Sequence, residues 1–203
     1  MINQGGETLP IYSKTMKIET IEIAGFAGAL TALRLPFGKE VRSRIETDNY
    51  WNDGMDRPTA IWHNETDIEL DTYDESLMQT QVKRGDEHAK VVRGIMVWAK
   101  ITAPVYWWCE EETYRMGHER LASESTMHID CRGLSGEELV KAKSAIPMGK
   151  ELTKVDMFSY QTLRRIVAQR HNHRLPEWHT FIDWIRTLPF AEELILVGLE
   201  MEE

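Results

Sequence analysis

The chain has 203 residues, long enough for one domain with a sizeable core and no need of disulfide staples. With 42% hydrophobic and 28% charged residues it has the composition of a globular protein rather than a disordered or fibrous one. A net charge of −9 argues against a general nucleic-acid or membrane-surface binder, because phosphate-rich partners need a basic face; a small anion held in a local pocket of donors is still compatible.

Residues 1–14 carry Gly5, Gly6 and Pro10 with little periodicity and read as a flexible arm ahead of a single domain over 15–203. The start lacks an apolar signal-peptide core, and no apolar run approaches the roughly 18 residues of a membrane span. Cys109 and Cys131 form no CxxC or zinc spacing and read as reduced thiols, which points to a cytoplasmic protein.

Met16–Ala24 alternates as a strand, with a phase slip at Thr20 that suggests a bulge. Phe26–Leu35 predicts a short helix stopped by Pro36 and Gly38. Residues 38–67 are polar and irregular, with turn signals at Asp53-Gly54 and Pro58 and scattered aromatics (Tyr50, Trp51, Trp62), and read as a long loop. Thr72–Arg84 predicts a helix with Tyr73, Leu77, Met78 and Val82 on one face and Gly85 as its stop. The best strand signal runs over Val91–Ile101. Thr102 then reads as the N-cap of a helix bearing Trp107, Trp108, Tyr114 and the acids Glu110–Glu112. Ser135-Gly-Glu-Glu138 has the form of a capping box opening a helix to Ile146. Phe158–Gln169 predicts a further helix. Pro176 opens the next one, with Trp178, Phe181, Ile182 and Ile185 on one stripe and Leu188-Pro189 at its end. Strands and helices mix without a βαβ rhythm, which predicts an α+β class: a central antiparallel sheet with packed helices.

The densest polar segment, Tyr114–His128, holds Arg115, His118, Arg120, Ser123, Ser125 and His128. A guanidinium fork beside hydroxyls suits phosphate, and a solvated loop or helix end is the plain alternative. Arg164-Arg165 and Arg170-His-Asn-His-Arg174 read either as an anion clamp or as a helix C-terminus whose dipole cations stabilise. His171 and His173, two apart, share no helix face, so no metal site is expected there or elsewhere. His88, with Lys90 and Arg93, follows Gly85-Asp-Glu and reads as a ligand-facing group or a surface turn. An aromatic face around Trp107 and Trp108 is a further candidate, for a structural or partner-binding role.

Three blocks in order give the chain a family resemblance. They are Gly85-Asp-Glu-His88 before a strand, Thr102 to His128 (ITAPVYWWCEEETYRMGHERLASESTMH from Ile101), and Phe158 to Trp184 (FSYQTLRRIVAQRHNHRLPEWHTFIDW). Together they resemble the flavin-dependent thymidylate synthases (ThyX). The TAPxYWW…TY…STMH and HxLxEW wording is similar, more closely still, to a group of often phage-borne, uncharacterised relatives. The resemblance implies a ThyX-like fold and a homotetramer. It also implies FAD between subunits, dUMP or a related pyrimidine nucleotide stacked on the flavin, methylenetetrahydrofolate as carbon donor and NADPH as reductant. It implies nucleotide and cofactor contacts from Arg115, His118, Arg120, Ser123, Ser125 and Arg170, with His88 and Arg93 as further contacts.

The family signature RHRxxSxxxxSxR is broken here. Anchored on Ser125-Thr126, it puts Arg115 on the first Arg but Met116, Gly117, Arg120 and Met127 on its His, second Arg, first Ser and last Arg. Anchored on Arg120-Leu-Ala-Ser123, it recovers RxxS with His118 on the first Arg, and sets His128 and Asp130 on the final Ser and Arg. Phe181 stands where the family has a nucleotide-binding Arg, while Arg170 is kept. A hydrogen bond to a charged group is worth about 1.5–3 kcal/mol, so two lost contacts weaken nucleotide binding by roughly two to four powers of ten. A catalytically inactive nucleotide- or anion-binding homologue on the same scaffold is therefore an alternative to the one-carbon transferase.

Overall fold

A computed structural model describes residues 16–49 and 63–199; the N-terminal arm, Tyr50, Trp51, Asp53-Gly54, Pro58 and Trp62 lie outside them. The described strands are β1 (Lys17–Ala24), β2 (Arg44–Asn49), β3 (His63–Glu69), β4 (Met96–Pro104), β5 (His118–Ser123) and β6 (Glu151–Ser159). The helices are α1 (Phe26–Arg34), α2 (Thr72–Lys83), α3 (Val105–Glu111), α4 (Thr126–Ile129), α5 (Gly136–Ser144), α6 (Tyr160–Arg170) and α7 (Pro176–Arg186). Four strands form an antiparallel sheet in the order β1-β4-β6-β5, and β2 and β3 form a separate antiparallel ribbon. The class is α+β, as the mixed pattern predicts.

The phase slip in β1 is real: the register against β4 shifts between Thr20 and Glu22, and Ile21 is left half exposed. β4 sits between β1 and β6 and carries the core. Val97, Ala99, Ile101 and Ala103 are fully buried on one face, while Lys100 on the other is exposed. Onto the buried face pack α3, α6 and α7. Trp107 of α3 lies 5.0 Å from the Trp178 ring and 5.5 Å from the Phe181 ring, both of α7. Phe158 of β6 meets Phe181 at 5.7 Å. At about 25 cal/mol per Å² of apolar surface, this aromatic cluster is a main stabilising element of the fold. Trp184 completes the seal by donating from its indole Nε1 to Thr20 Oγ1 on β1 (2.9 Å).

Five expectations need correction. The long polar loop contains the β2–β3 ribbon, whose register pairs Ile45 with Ile68 among polar residues; with so few apolar positions the ribbon has no alternating signature. The strand expected from Val91 starts at Met96. Ala89–Arg93 is a 3₁₀ turn that buries Val91 and Val92 in succession, which alternation does not allow. Thr102 belongs to β4, where its hydroxyl meets that of Thr153 at 2.9 Å; Pro104 is the actual N-cap residue of α3. The segment around His118 is β5, an edge strand. Residues 151–159, unassigned from sequence, form β6, so the following helix starts at Tyr160, with Ser159 Oγ accepting from Thr162 N at 3.2 Å.

Smaller differences follow the same logic. Ser135 precedes α5 as expected, but its side chain makes no capping bond and the helix stops at Ser144. The buried stripe of α2 runs through Asp74, Met78 and Val82, with Tyr73 54% exposed. Asp74 accepts from the buried Arg34 guanidinium, from Arg42 N and Ser43 N (3.0 and 2.9 Å) and from Ser43 Oγ (2.7 Å), which ties α1 to the chain entering β2. Trp107 and Trp108 are buried, 0% and 1% exposed, so the aromatic face proposed for a partner is core. Both cysteines are free, Cys109 exposed and Cys131 buried. Among the described residues, no helix is long and apolar enough to cross a membrane.

Candidate functional site

Residues directly opposite in an antiparallel pair share a face, so the register itself assembles the polar centre of this molecule. Across β4, β6 and β5 the rows are Val97–Phe158–His118 and Ala99–Asp156–Arg120. His118, Arg120 and Asp156 therefore lie on the face that carries the core, and the small Ala99 beside Asp156 leaves them room. The last turn of α3 closes over them with Glu111, on the same buried phase as Trp107 and Trp108.

The result is a compact ionic cluster. Glu111 and Asp156 are fully buried, and two carboxylates in such a place require compensation. Arg120 supplies it through all its nitrogens: Nε to Asp156 Oδ1 (3.1 Å), Nη2 to Glu111 Oε2 (2.6 Å) and Asp156 Oδ2 (3.2 Å), and Nη1 to Glu112 Oε1 (2.5 Å). Its guanidinium lies 5.1 Å from the centre of the Trp108 ring, and Lys154 Nζ lies 4.4 Å from it while also reaching Glu112. His118 stacks on Phe158 with centroids 4.6 Å apart and rings 4° from parallel. Its Nε2 is 3.1 Å from Glu111 Oε1 and 3.3 Å from Asp156 Oδ2, and its Nδ1 is 2.8 Å from the Tyr114 carbonyl.

Burial pushes the Glu111 carboxyl up to about 7, with Asp156 adding to the rise and His118 and Arg120 opposing it. For His118 burial works downward, but the two carboxylates prevail and its basicity is raised.

Two hollows lie among the described residues, neither of them lined by the ionic cluster. One, about 200 Å³, is lined by Arg93, Met116, Gly117, Ser159, Gln161 and Arg165. Arg165 places Nε and Nη2 on Asp86 Oδ2 (3.0 and 2.6 Å), and Arg93 donates to the Asp86 carbonyl (2.6 Å). The Arg165 guanidinium holds the Asp86 carboxyl below its ordinary range. Gly117 has φ of +74°, and a Cβ there would come within 2.4 Å of Ser159 Oγ, so this turn is restricted to glycine. The other hollow, about 500 Å³, is mostly apolar, walled by α1 residues such as Ala29 and Leu33, with His88 and Lys90 contributing polar groups.

The eight residues singled out from sequence fall in several places. His118 and Arg120 meet in the ionic cluster. Ser123, exposed, donates to Glu124 O (2.9 Å), and Ser125 precedes α4 as its N-cap residue without a side-chain bond. Arg115 is exposed in the turn between α3 and β5. Arg170 ends α6, bonded to the Tyr114 hydroxyl (2.9 Å) and Glu110 (3.3 Å) and lying 4.9 Å from the Trp178 ring centre. Arg93 and His88 line separate hollows. Sequence reasoning missed Glu111 and Asp156. The available signals were an acid on the aromatic phase of α3 and an acid interrupting the apolar run before Phe158.

Comparison with solved structures gives matches along nearly the whole chain. One is the flavin-dependent thymidylate synthase ThyX from Helicobacter pylori complexed with FAD and dUMP, with a TM-score of 0.61 at 10% identity over 89% of this chain and 99% of that one. The fold is that of the flavin-dependent thymidylate synthases. A second Helicobacter pylori ThyX structure with FAD and dUMP gives 0.60 at 11% identity over 88% of this chain and 96% of that one. The UMP/dUMP methylase PolB from Streptomyces cacaoi, bound with 5-Br dUMP, gives 0.58 at 10% identity over 93% and 98%. No family model and no curated protein matches the sequence.

Proposed function

We propose that this chain is a thymidylate synthase-like protein that binds FAD and carries out one-carbon transfer to dUMP or a related pyrimidine nucleotide. The observation that carries the reading is the near end-to-end fold match to structures crystallised with dUMP or its 5-bromo analogue, two of them with FAD. Donors on either side of β5 are of the kind an anionic cofactor takes: the exposed Arg115 guanidinium before it, and the Ser123 and Ser125 hydroxyls and the exposed His128 imidazole at its far end, suit phosphate oxygens. A bound flavin would supply the hydride chemistry, with methylenetetrahydrofolate and NADPH as the other substrates. The chain's own residues would orient the nucleotide and hold its phosphate, with Arg93 and Arg165 beside Gly117 and Arg170 as further anion contacts.

Assembly as a homotetramer belongs to the same reading. No residue of α4 or α5 is buried, and Leu121, Met127, Ile129, Leu134 and Val140 stand exposed along that side. Such a surface is suited to another subunit. An assembly would also let an acidic chain pool its arginines around one anion. Purified protein should therefore be yellow, or gain flavin absorbance with FAD, and should run as a tetramer by light scattering. Colourless protein with no response to FAD would overturn the enzyme reading.

A second reading, a non-catalytic nucleotide-binding homologue, is favoured by one observation: every guanidinium nitrogen of Arg120 is already engaged by an internal carboxylate. Calorimetry with dUMP and no flavin separates the two. Binding without FAD uptake or turnover supports the binder, and no affinity for any nucleotide rejects both.

A further inference from the structure

We propose that Glu111, His118 and Asp156 bind a divalent transition-metal ion of the zinc type, held between α3, β5 and β6. The three side chains bring one donor atom each to within 4.8 Å of one another. The carboxylates are fully buried and the imidazole is 7% exposed, so these are not solvated surface acids. Two of the donor atoms, Glu111 Oε1 and His118 Nε2, are buried and form no hydrogen bond of acceptable geometry. Unpartnered buried polar atoms are costly, and here both face the same point.

The histidine shows what that point needs. Its Nδ1 lies 2.8 Å from the Tyr114 carbonyl, an acceptor only, so Nδ1 carries a proton. In the neutral ring Nε2 is then a bare lone pair, aimed between two carboxylate oxygens at 3.1 and 3.3 Å. Three electron-rich atoms at that spacing repel unless a positive charge lies among them, either a proton on Nε2 or a metal ion.

Geometry favours the metal. At 3.1 and 3.3 Å both oxygens are near enough to accept from Nε2, yet neither lies close enough to the line of an Nε2–H bond to do so. Those separations instead match the edge of a zinc tetrahedron, about 3.3 Å for bonds of about 2.0 Å. One imidazole with two carboxylates is a donor set that suits Zn²⁺, Mn²⁺ or Fe²⁺.

The surroundings have the form of an outer shell. The Tyr114 carbonyl sets the histidine tautomer and Phe158 clamps the ring face. Arg120 takes Glu111 Oε2 and both oxygens of Asp156 (Oδ1 at 3.1 Å, Oδ2 at 3.2 Å), which leaves Glu111 Oε1 unbonded 3.1 Å from His118 Nε2 and holds Asp156 Oδ2 3.3 Å from it. Charge is also suitable. Glu111 and Asp156 against Arg120 leave one net negative charge, so a divalent ion adds no large excess, and Lys154 and Glu112 outside neutralise each other.

The test uses the full-length chain, stripped with a chelator and dialysed, then titrated calorimetrically with Zn²⁺ alone and followed by thermal melting. The expected result is one saturable equivalent per chain and a raised Tm. His118→Gln and Glu111→Gln, near-isosteric changes, should weaken binding by more than the roughly 10–100-fold typical of an outer-shell change. His173→Ala, beside Glu110, should leave it intact. Should the site variants fold poorly, Co²⁺ added to the unmodified chain still reports: visible bands of tetrahedral intensity are expected. The proposal is overturned by no saturable Zn²⁺ binding with no Co²⁺ bands, by undiminished binding in both folded site variants, or by loss of binding in His173→Ala. None of these readouts involves a nucleotide or a flavin, so the proposal stands or fails separately from the proposed activity.

Discussion

Replacing Arg120 by Ala tests whether the residue is held by the fold or kept for a ligand. The substitution leaves two fully buried carboxylates, Glu111 and Asp156, facing each other without the guanidinium that neutralises them. Removing one partner of a buried ion pair costs about 3–5 kcal/mol. Arg120 is 24% exposed, so water would reach the gap, and the expected loss is at the lower end, ~3 kcal/mol. For a chain of this size that is roughly 6–12 °C in Tm. Arg120→Lys keeps the charge but not the planar fork and should fall between. Adding Glu111→Gln to Arg120→Ala should recover part of the loss, a non-additivity expected only of side chains in one network. Urea and thermal unfolding followed by tryptophan fluorescence, in buffer containing EDTA and free of nucleotide, measures the parent, the two Arg120 variants, Glu111→Gln alone and the double variant. A loss below ~1 kcal/mol for Arg120→Ala, or strict additivity with Glu111→Gln, would refute the structural role and return Arg120 to the set of available anion ligands.

Three further outcomes are expected. Donors from Arg34, Arg42 and Ser43 outweigh burial and keep the Asp74 carboxyl below its ordinary range. A depressed carboxylate contributes stability that is full above about pH 4 and is lost as pH falls through the lower, folded-state value, so the stability gap between Asp74→Asn and the parent should be widest at pH 7 and shrink progressively as pH falls below about 4. Gly117→Ala combines a left-handed backbone, which costs about 1–2 kcal/mol for an alanine, with a collision at Ser159 Oγ; a Tm within 2 °C of the parent, read by calorimetry, would contradict it. If Arg115 holds a nucleotide phosphate, Arg115→Ala should weaken dUMP binding roughly 10–100-fold in titration calorimetry with no change in Tm, since the side chain is exposed; unchanged affinity would remove it from the site.

Where a local rule and the final packing agreed, the sequence by itself determined the structure. The apolar stripe of α7 behind Pro176, the helix opening after Ser135, the bulge in β1 and the α+β class all follow from periodicity and turn chemistry. The ordered blocks around Thr102–His128 and Phe158–Trp184 were likewise enough to suggest the fold that the structural comparison found.

The tertiary structure decided what depends on register. β6 escaped notice because Lys154 and Asp156 occupy its inward row, where a strand signature calls for apolar residues, and only pairing with β4 and β5 shows why charge is tolerated there. The segment from Arg115 to His128 reads as phosphate-type donors in one dimension. Folded, burial divides them: His118 and Arg120 turn inward to Glu111 and Asp156, while Arg115 before β5 and Ser123 at its end stay exposed and Ser125 is half-buried ahead of α4. A strand sends neighbouring side chains to opposite faces, and which face is buried is set by the strands and helices around it rather than by the segment itself.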